Sequence, residues 1–219
     1  MSDTIQKTVA CPVCGGDNEI TVYKTINAAS DPELREKLLN GELLHFRCEH
    51  CGHEATLEYP LLYNGMRDGF MVYYIPAVDR EKITDEALEK EYADIEGVTR
   101  RLVGSFNELK EKIHIFESGL DDKVIEVVKA ALKDVVEKRT EETVLGGYFS
   151  KYSASEEKIG FTFFVGEQEE QFVQTTRLEI YRRSMDVAAS IQSDPADRSF
   201  VCIDRGWARN AIYSYRKRK

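Results

Sequence analysis

The chain has 219 residues, 42% hydrophobic and 32% charged, the make-up of a globular protein with a substantial core and room for one or two domains. Its net charge is −9, and all 39 acidic residues precede Arg205, so residues 1–204 carry 24 basic against 39 acidic residues, a net of −15. Such a field repels phosphate and disfavours nucleic acid as a non-specific partner; the local exception is the last fifteen residues, which hold Arg205, Arg209, Arg216, Lys217, Arg218 and Lys219 and no acid.

The apolar runs are too short to span a bilayer, and Met1 to Lys7 lacks the apolar segment of a signal peptide. The expectation is a cytoplasmic protein in a reducing compartment, with no membrane partner. There, paired cysteines bind metal or do redox chemistry more often than they form lasting disulfides.

Two such pairs come early: Cys11-Pro12-Val13-Cys14 and Cys48-Glu49-His50-Cys51, followed by Gly15 and Gly52. Two residues between cysteines allow a tight turn that aims both sulfurs at one ion, and a glycine after the second tolerates the positive φ that closes the turn. Two knuckles from separate parts of the chain describe a zinc ribbon. The expected cofactor is one structural Zn2+ with Cys11, Cys14, Cys48 and Cys51 as ligands. A dithiol redox pair is disfavoured, because no strong helix follows either motif. A catalytic zinc is disfavoured because four cysteines leave no open position. His50 and His53 read as outer-shell or exposed residues, and His45 and His114 have no ligand partner at useful spacing.

Between the knuckles, Ile20–Tyr23 reads as a strand. Ser30-Asp31-Pro32-Glu33 opens a helix, with Ser30 as cap in one register and Asp31 before Pro32 in the other. That helix stops at Asn40-Gly41. Leu43–Arg47 leads into the second knuckle as a strand and Ala55–Tyr59 leaves it as another, up to Pro60. These segments resemble the CpXC-domain family of bacterial and archaeal proteins, over roughly residues 5–125. The first motif is intact in Cys11-Pro12-Val13-Cys14, while Glu49 stands where proline often does in the second. Asp31-Pro32-Glu33-Leu34, Leu38-Leu39-Asn40-Gly41-Glu42-Leu43 and Tyr59-Pro60-Leu61-Leu62-Tyr63 carry the rest of the likeness. The resemblance implies a metal-bearing ribbon module and names no substrate or reaction.

Farther on, Phe70–Ile75 is a continuous apolar run, a strand with a core role for its aromatics. A short solvent-facing helix is expected over 84–93. Ser105-Phe106-Asn107-Glu108 is a capping box, and Phe106, Leu109, Ile113 and Phe116 follow on one helical face up to Gly119. A second helix from Asp121 or Asp122 carries Ile125, Val128, Leu132 and Val135, flanked by Val124, Val127, Ala131 and Val136. The two form an antiparallel hairpin. The period then changes to strands at 144–152 and 159–165, with a third over 171–174. A helix follows over 177–189, with Leu178, Tyr181, Met185 and Ala188 along one side. Residues 193–197 read as a turn, Phe200–Ile203 as a buried strand holding a core thiol at Cys202, and Trp207–Tyr213 as a final helix capped near Asp204.

The fold class is therefore α+β: an N-terminal zinc-ribbon β module with a helical insert, a helical hairpin, and a small C-terminal α+β domain, divided at 1–78, 79–141 and 142–219. There is no phosphate-cradling glycine loop, HExxH or nucleophile elbow, so no residue is assigned to catalysis or to an organic cofactor, and enzyme status is left open. The expected function is a zinc-stabilised protein-interaction or adaptor module that binds a protein partner or itself. The alternatives are a zinc-ribbon protein contacting nucleic acid through its basic end, and an enzyme or small-ligand binder with a site between modules.

Overall fold

The computed structural model describes residues 2–77, 79, 90, 92, 95–191 and 199–218. The chain divides into two units, Met1–Leu109 with Arg198–Phe200, and Lys110–Asp197 with Val201–Lys219. The expected helix over 84–93 and the turn over 193–197 lie outside the described residues, but for residues 90 and 92.

The first unit is built on strands β1 (Asp3–Ala10), β2 (Asp17–Asn27), β5 (Leu61–Gly65), β6 (Phe70–Tyr74) and β7 (Thr99–Val103), in the spatial order β1-β2-β5-β6-β7. β2 pairs β5 and β6 pairs β7 in parallel, and the other neighbours are antiparallel. A separate hairpin, β3 (His45–Arg47) with β4 (Glu54–Thr56), carries the second cysteine pair in its turn. Leu61, Leu62, Tyr63, Phe70, Met71, Val72 and Tyr74 on β5 and β6 are buried, so the apolar run Phe70–Ile75 is core, and the Tyr63 and Phe70 rings stack 5.8 Å apart. Such a run is what an interior strand covered on both faces requires.

Helix α1 (Pro32–Leu39) takes the second of the two registers: Asp31 precedes Pro32 at the first helical position. The Asp31 carboxylate does not cap. It accepts the backbone N–H and the hydroxyl of Ser2 at 2.9 and 2.7 Å, which hold its pKa below the ordinary value, and so ties the N-terminal strand to the insert. Gly41, at φ +87°, follows the helix where a stop is expected. β7 was hidden from the sequence pattern by Arg100 and Arg101. Both are buried, and Arg100 donates from Nη2 to the carbonyls of Tyr92 and Ile95.

Helix α2 (Phe106–Glu117) opens on the expected capping box: Ser105 Oγ accepts Glu108 N–H at 3.2 Å and Glu108 Oε2 accepts Ser105 N–H at 3.1 Å. Gly119, at φ +68°, ends the turn, and Asp121 caps α3 (Asp122–Thr140) by accepting Lys123 N–H at 2.8 Å. The second unit's sheet has the order β10-β9-β8, all antiparallel, with β8 (Val144–Ser153), β9 (Lys158–Val165) and β10 (Glu170–Arg177). Helices α4 (Leu178–Ala188) and α5 (Arg205–Lys217) complete it.

The wide apolar arc of α3 serves two neighbours. Ile125, Val128, Leu132 and Val136 pack with Phe149, Phe161 and Phe163 of the sheet, while Val124 and Val127 pack with Ala188 of α4 and Ala211 of α5. Val136 fills the place expected for Val135, which is 43% exposed; four residues after Leu132 stays nearer the sheet-facing line than three. Met185 is likewise exposed, leaving Leu178, Tyr181 and Ala188 as the packed side of α4. The segment around Phe200 is not a strand: only Val201 makes a bridge, Phe200 and Ile203 are buried, and Cys202 faces outward, which overturns the buried-thiol expectation. An extended backbone turns neighbouring side chains apart, so a short apolar run does not bury every member.

Within the second unit lies a buried charge network. Lys112 Nζ is 3.0 Å from Asp122, 3.4 Å from Glu126 and 2.7 Å from the Ile203 carbonyl. Lys129 Nζ is 2.8 Å from both Glu111 and Glu126, and Glu111 also accepts Phe149 N–H at 2.6 Å.

Candidate metal centre

Each cysteine pair sits in a turn of the same build. Cys11 donates its N–H to the Gly16 carbonyl at 2.9 Å and accepts Gly15 N–H at 2.9 Å; Cys48 donates to the His53 carbonyl at 2.8 Å and accepts Gly52 N–H at 2.9 Å. Gly15 and Gly52 adopt φ of +72° and +73°, the left-handed geometry in which a Cβ would be strained. β1 and β2 flank the first turn and β3 and β4 the second, so the sheet registers set the position of all four thiols.

The sulfurs of Cys11, Cys14, Cys48 and Cys51 all lie within 4.8 Å of one another, and they are the one such cluster of metal-ligating side chains among the described residues. Sγ–Sγ is 3.7 Å between Cys11 and Cys51 and 3.7 Å between Cys14 and Cys48. A tetrahedral ion with bonds of about 2.3 Å places its sulfurs about 3.8 Å apart, so the spacing fits four-coordinate binding. The donor chemistry points the same way. Burial opposes ionisation of Cys48, but the N–H groups of Cys51 and His50 aimed at its sulfur prevail and bring the thiol down to about 6. Cys51 receives the His53 N–H, yet burial and the three neighbouring sulfurs push it up to about 12. Four thiols this close cannot all become anions unless a cation shares the site.

Two residues not singled out from the sequence brace the cluster. Asn18, 3% exposed, donates to the Gly16 carbonyl at 2.8 Å, accepts Glu49 N–H at 2.9 Å and points its amide N–H at Cys48 Sγ at 3.6 Å. One side chain thus spans both knuckles and one of the four clustered sulfurs. Gly16 leaves room for the His50 ring, which a Cβ there would meet at 2.4 Å, and His50 Nε2 lies 2.8 Å from the Asp17 carbonyl. His50 therefore joins the knuckles from outside the sulfur cluster. His45 is exposed 3.8 Å from Glu54, and His114 is exposed on α2. The only trace of the brace in the sequence is Gly16-Asp17-Asn18 directly after the first motif, a weak signal without the fold.

Outer-shell partners of this kind carry 10- to 100-fold in metal affinity. The expected result for Asn18→Ala is a drop in metal affinity of about tenfold, with the chain still folding when metal is in excess. A chelator competition titration measures it, and unchanged affinity would remove Asn18 from the site.

Among the described residues no helix is long and apolar enough to cross a membrane. No curated protein and no solved structure matches the chain. The family described as CpXC protein matches residues 9–129, more than half of the chain and a span that holds both knuckles, the α1 insert and the β5-β6-β7 part of the sheet. The chain belongs to the CpXC family.

Proposed function

We propose that this protein is a zinc-stabilised interaction module, with Cys11, Cys14, Cys48 and Cys51 holding one structural Zn2+. The observation that carries the reading is the convergence of four thiols at tetrahedral spacing from two turns of the same build. Soft thiolates in that geometry select zinc, and four of them close the coordination shell. The ion would neutralise the thiolates and fasten β2 to the β3-β4 hairpin.

The interaction role is supported by apolar side chains held at the surface. Val13 stands at the tip of the first knuckle, 67% exposed. Protein purified without added metal is expected to contain one zinc per chain by elemental analysis; native folding with none would refute the structural role. For the interaction role, affinity capture with the zinc-loaded chain and with its Val13→Asp variant is the test. Identical capture by both would refute a knuckle contact.

The α5 helix favours a second reading. Arg205, Arg209, Tyr213 and Lys217 recur every fourth residue and share one exposed face, capped at its start by Asp204 accepting Trp207 N–H at 2.8 Å. Cations interleaved with an exposed aromatic suit a single-stranded nucleic acid. Salt-dependent oligonucleotide binding that is lost on deleting residues 214–219 would establish this reading, and no binding at low salt would end it.

A further inference from the structure

We propose that β10 is the edge through which two copies of this chain pair, joining their three-stranded sheets into one of six strands; this rests on the self-association part of the interaction reading. Edge strands are templates for further pairing, and proteins blunt them with bulges, charges or shortness. Among the described residues the other edges carry such devices. β1 has a register shift at Asp3/Thr4 and Lys7 at its middle; β8 has two register shifts. β7 carries Arg100 and Arg101, and β3 and β4 have three residues each.

β10 has none of them. Its eight residues pair with β9 without a shift, from Glu170 against Val165 to Arg177 against Lys158, and the stretch Gln171–Thr176 is uncharged. Its outer edge has no strand neighbour among the described residues. Val173, at its middle, is 65% exposed.

The strand is also self-complementary. In antiparallel pairing of two identical strands about a two-fold axis, facing side chains share one side of the sheet, so the axis passes through a residue. Centred on Val173, the pairing sets Val173 against Val173 of the second copy and Gln171 against its Thr175. Phe172 meets Gln174 on the other face. Glu170 faces Thr176 of the second copy, so no like charges meet at either end. Moving the centre by one residue sets Val173 against Gln171 or Thr175 and loses the valine pair. The valines would form a β-branched cross-strand contact at the centre.

The test uses the full zinc-loaded chain. Light scattering across a micromolar series is expected to show a dimer. Val173→Lys, which sets two ammonium groups face to face at a surface position, is expected to weaken dimerisation at least tenfold without lowering the melting temperature. A Val173→Cys variant on a Cys202→Ser background should oxidise to a disulfide-linked dimer mapped to residue 173, because its own copy lies opposite at about 4.5–5.5 Å between Cα atoms. A Thr175→Cys variant should not, since its copies are offset by about 14 Å along the strands. A monomeric wild type, a dimer indifferent to Val173→Lys, or equal cross-linking at 173 and 175 would each overturn the proposal. Zinc content and knuckle-dependent capture measured on the same sample separate this from the interaction reading: a monomer that keeps both refutes the β10 edge alone.

Discussion

Replacing Cys48 with alanine should release the metal and unfold the cysteine-bearing part of the first unit, while the second unit keeps its structure. Cys48 is the sulfur with the most support: it is buried, takes N–H groups from His50, Cys51 and Asn18, and lies 3.7 Å from Cys14. A structural zinc contributes about 10–16 kcal/mol of apparent free energy in zinc-finger peptides, comparable to the whole stability of an ordinary domain. The apolar cluster around the site is thin, Cys11, Phe46 and Cys48 with Val9, Ile20, Ala55 and Leu57 against them, so the hairpin is expected to come away from β2 when the ion is lost. Hydrogen exchange should show protection lost over about residues 9–57 and retained in β8 and β9. Zinc per chain should fall from one to none. Full protection in the variant would show that the hairpin stands on its own packing.

Lys112→Met should be the most damaging single change in the second unit, at about 3–5 kcal/mol. The ammonium lies between Asp122 and Glu126 and donates to the Ile203 carbonyl, all away from water. Removing it leaves buried carboxylates short of a cation, and the lost pairing exceeds what a buried methionine returns. Chemical denaturation with the midpoint and slope both read is the measurement; a loss under about 1 kcal/mol would mean that water reaches the network.

The same network sets a pH window. Burial works against the charged form of Lys112, but Asp122, Glu126 and Glu111 outweigh it and hold its pKa above the ordinary lysine value. Lys129 is raised in the same way, burial being overcome by Glu111 and Glu126. A group whose pKa is raised on folding contributes stability below its unfolded pKa, about 10.4 for lysine, and loses it as pH rises through the folded value. The contribution of the two lysines to the second unit is therefore expected to hold up to about pH 10 and to be lost beyond. Glu111 is raised by burial, so by the same rule its contribution is fullest in acid and is lost as pH rises through its folded pKa.

How far the sequence could be read depended on how local the cause was. The capping box at Ser105 and Glu108 and the Asp121 and Asp204 caps formed as read, because capping is settled within four residues. Strands β8 and β9 were legible from their aromatic and β-branched runs. β1 was not, because only Ile5 and Val9 of its eight residues are even half-buried, and its place comes from pairing with β2. β7 was masked by two arginines that are buried in the fold, Arg100 donating to the carbonyls of Tyr92 and Ile95 and Arg101 to that of Arg100. At the site, the four cysteines announced themselves by spacing, whereas Asn18 and Gly16 did not, because their roles exist only once the second knuckle lies against the first.

By itself the sequence determined the four-cysteine set, the glycines that close each turn, the caps at Ser105, Asp121 and Asp204 and the α+β class, since each follows from spacing or from a backbone need met locally. Only the tertiary structure decided that the four sulfurs meet at tetrahedral spacing, that Asn18 and His50 tie the knuckles together, that Lys112 lies between buried carboxylates and that β10 has one strand neighbour among the described residues. Those are contacts between residues far apart in the chain. Their geometry is set by sheet register and packing, and no local pattern records it.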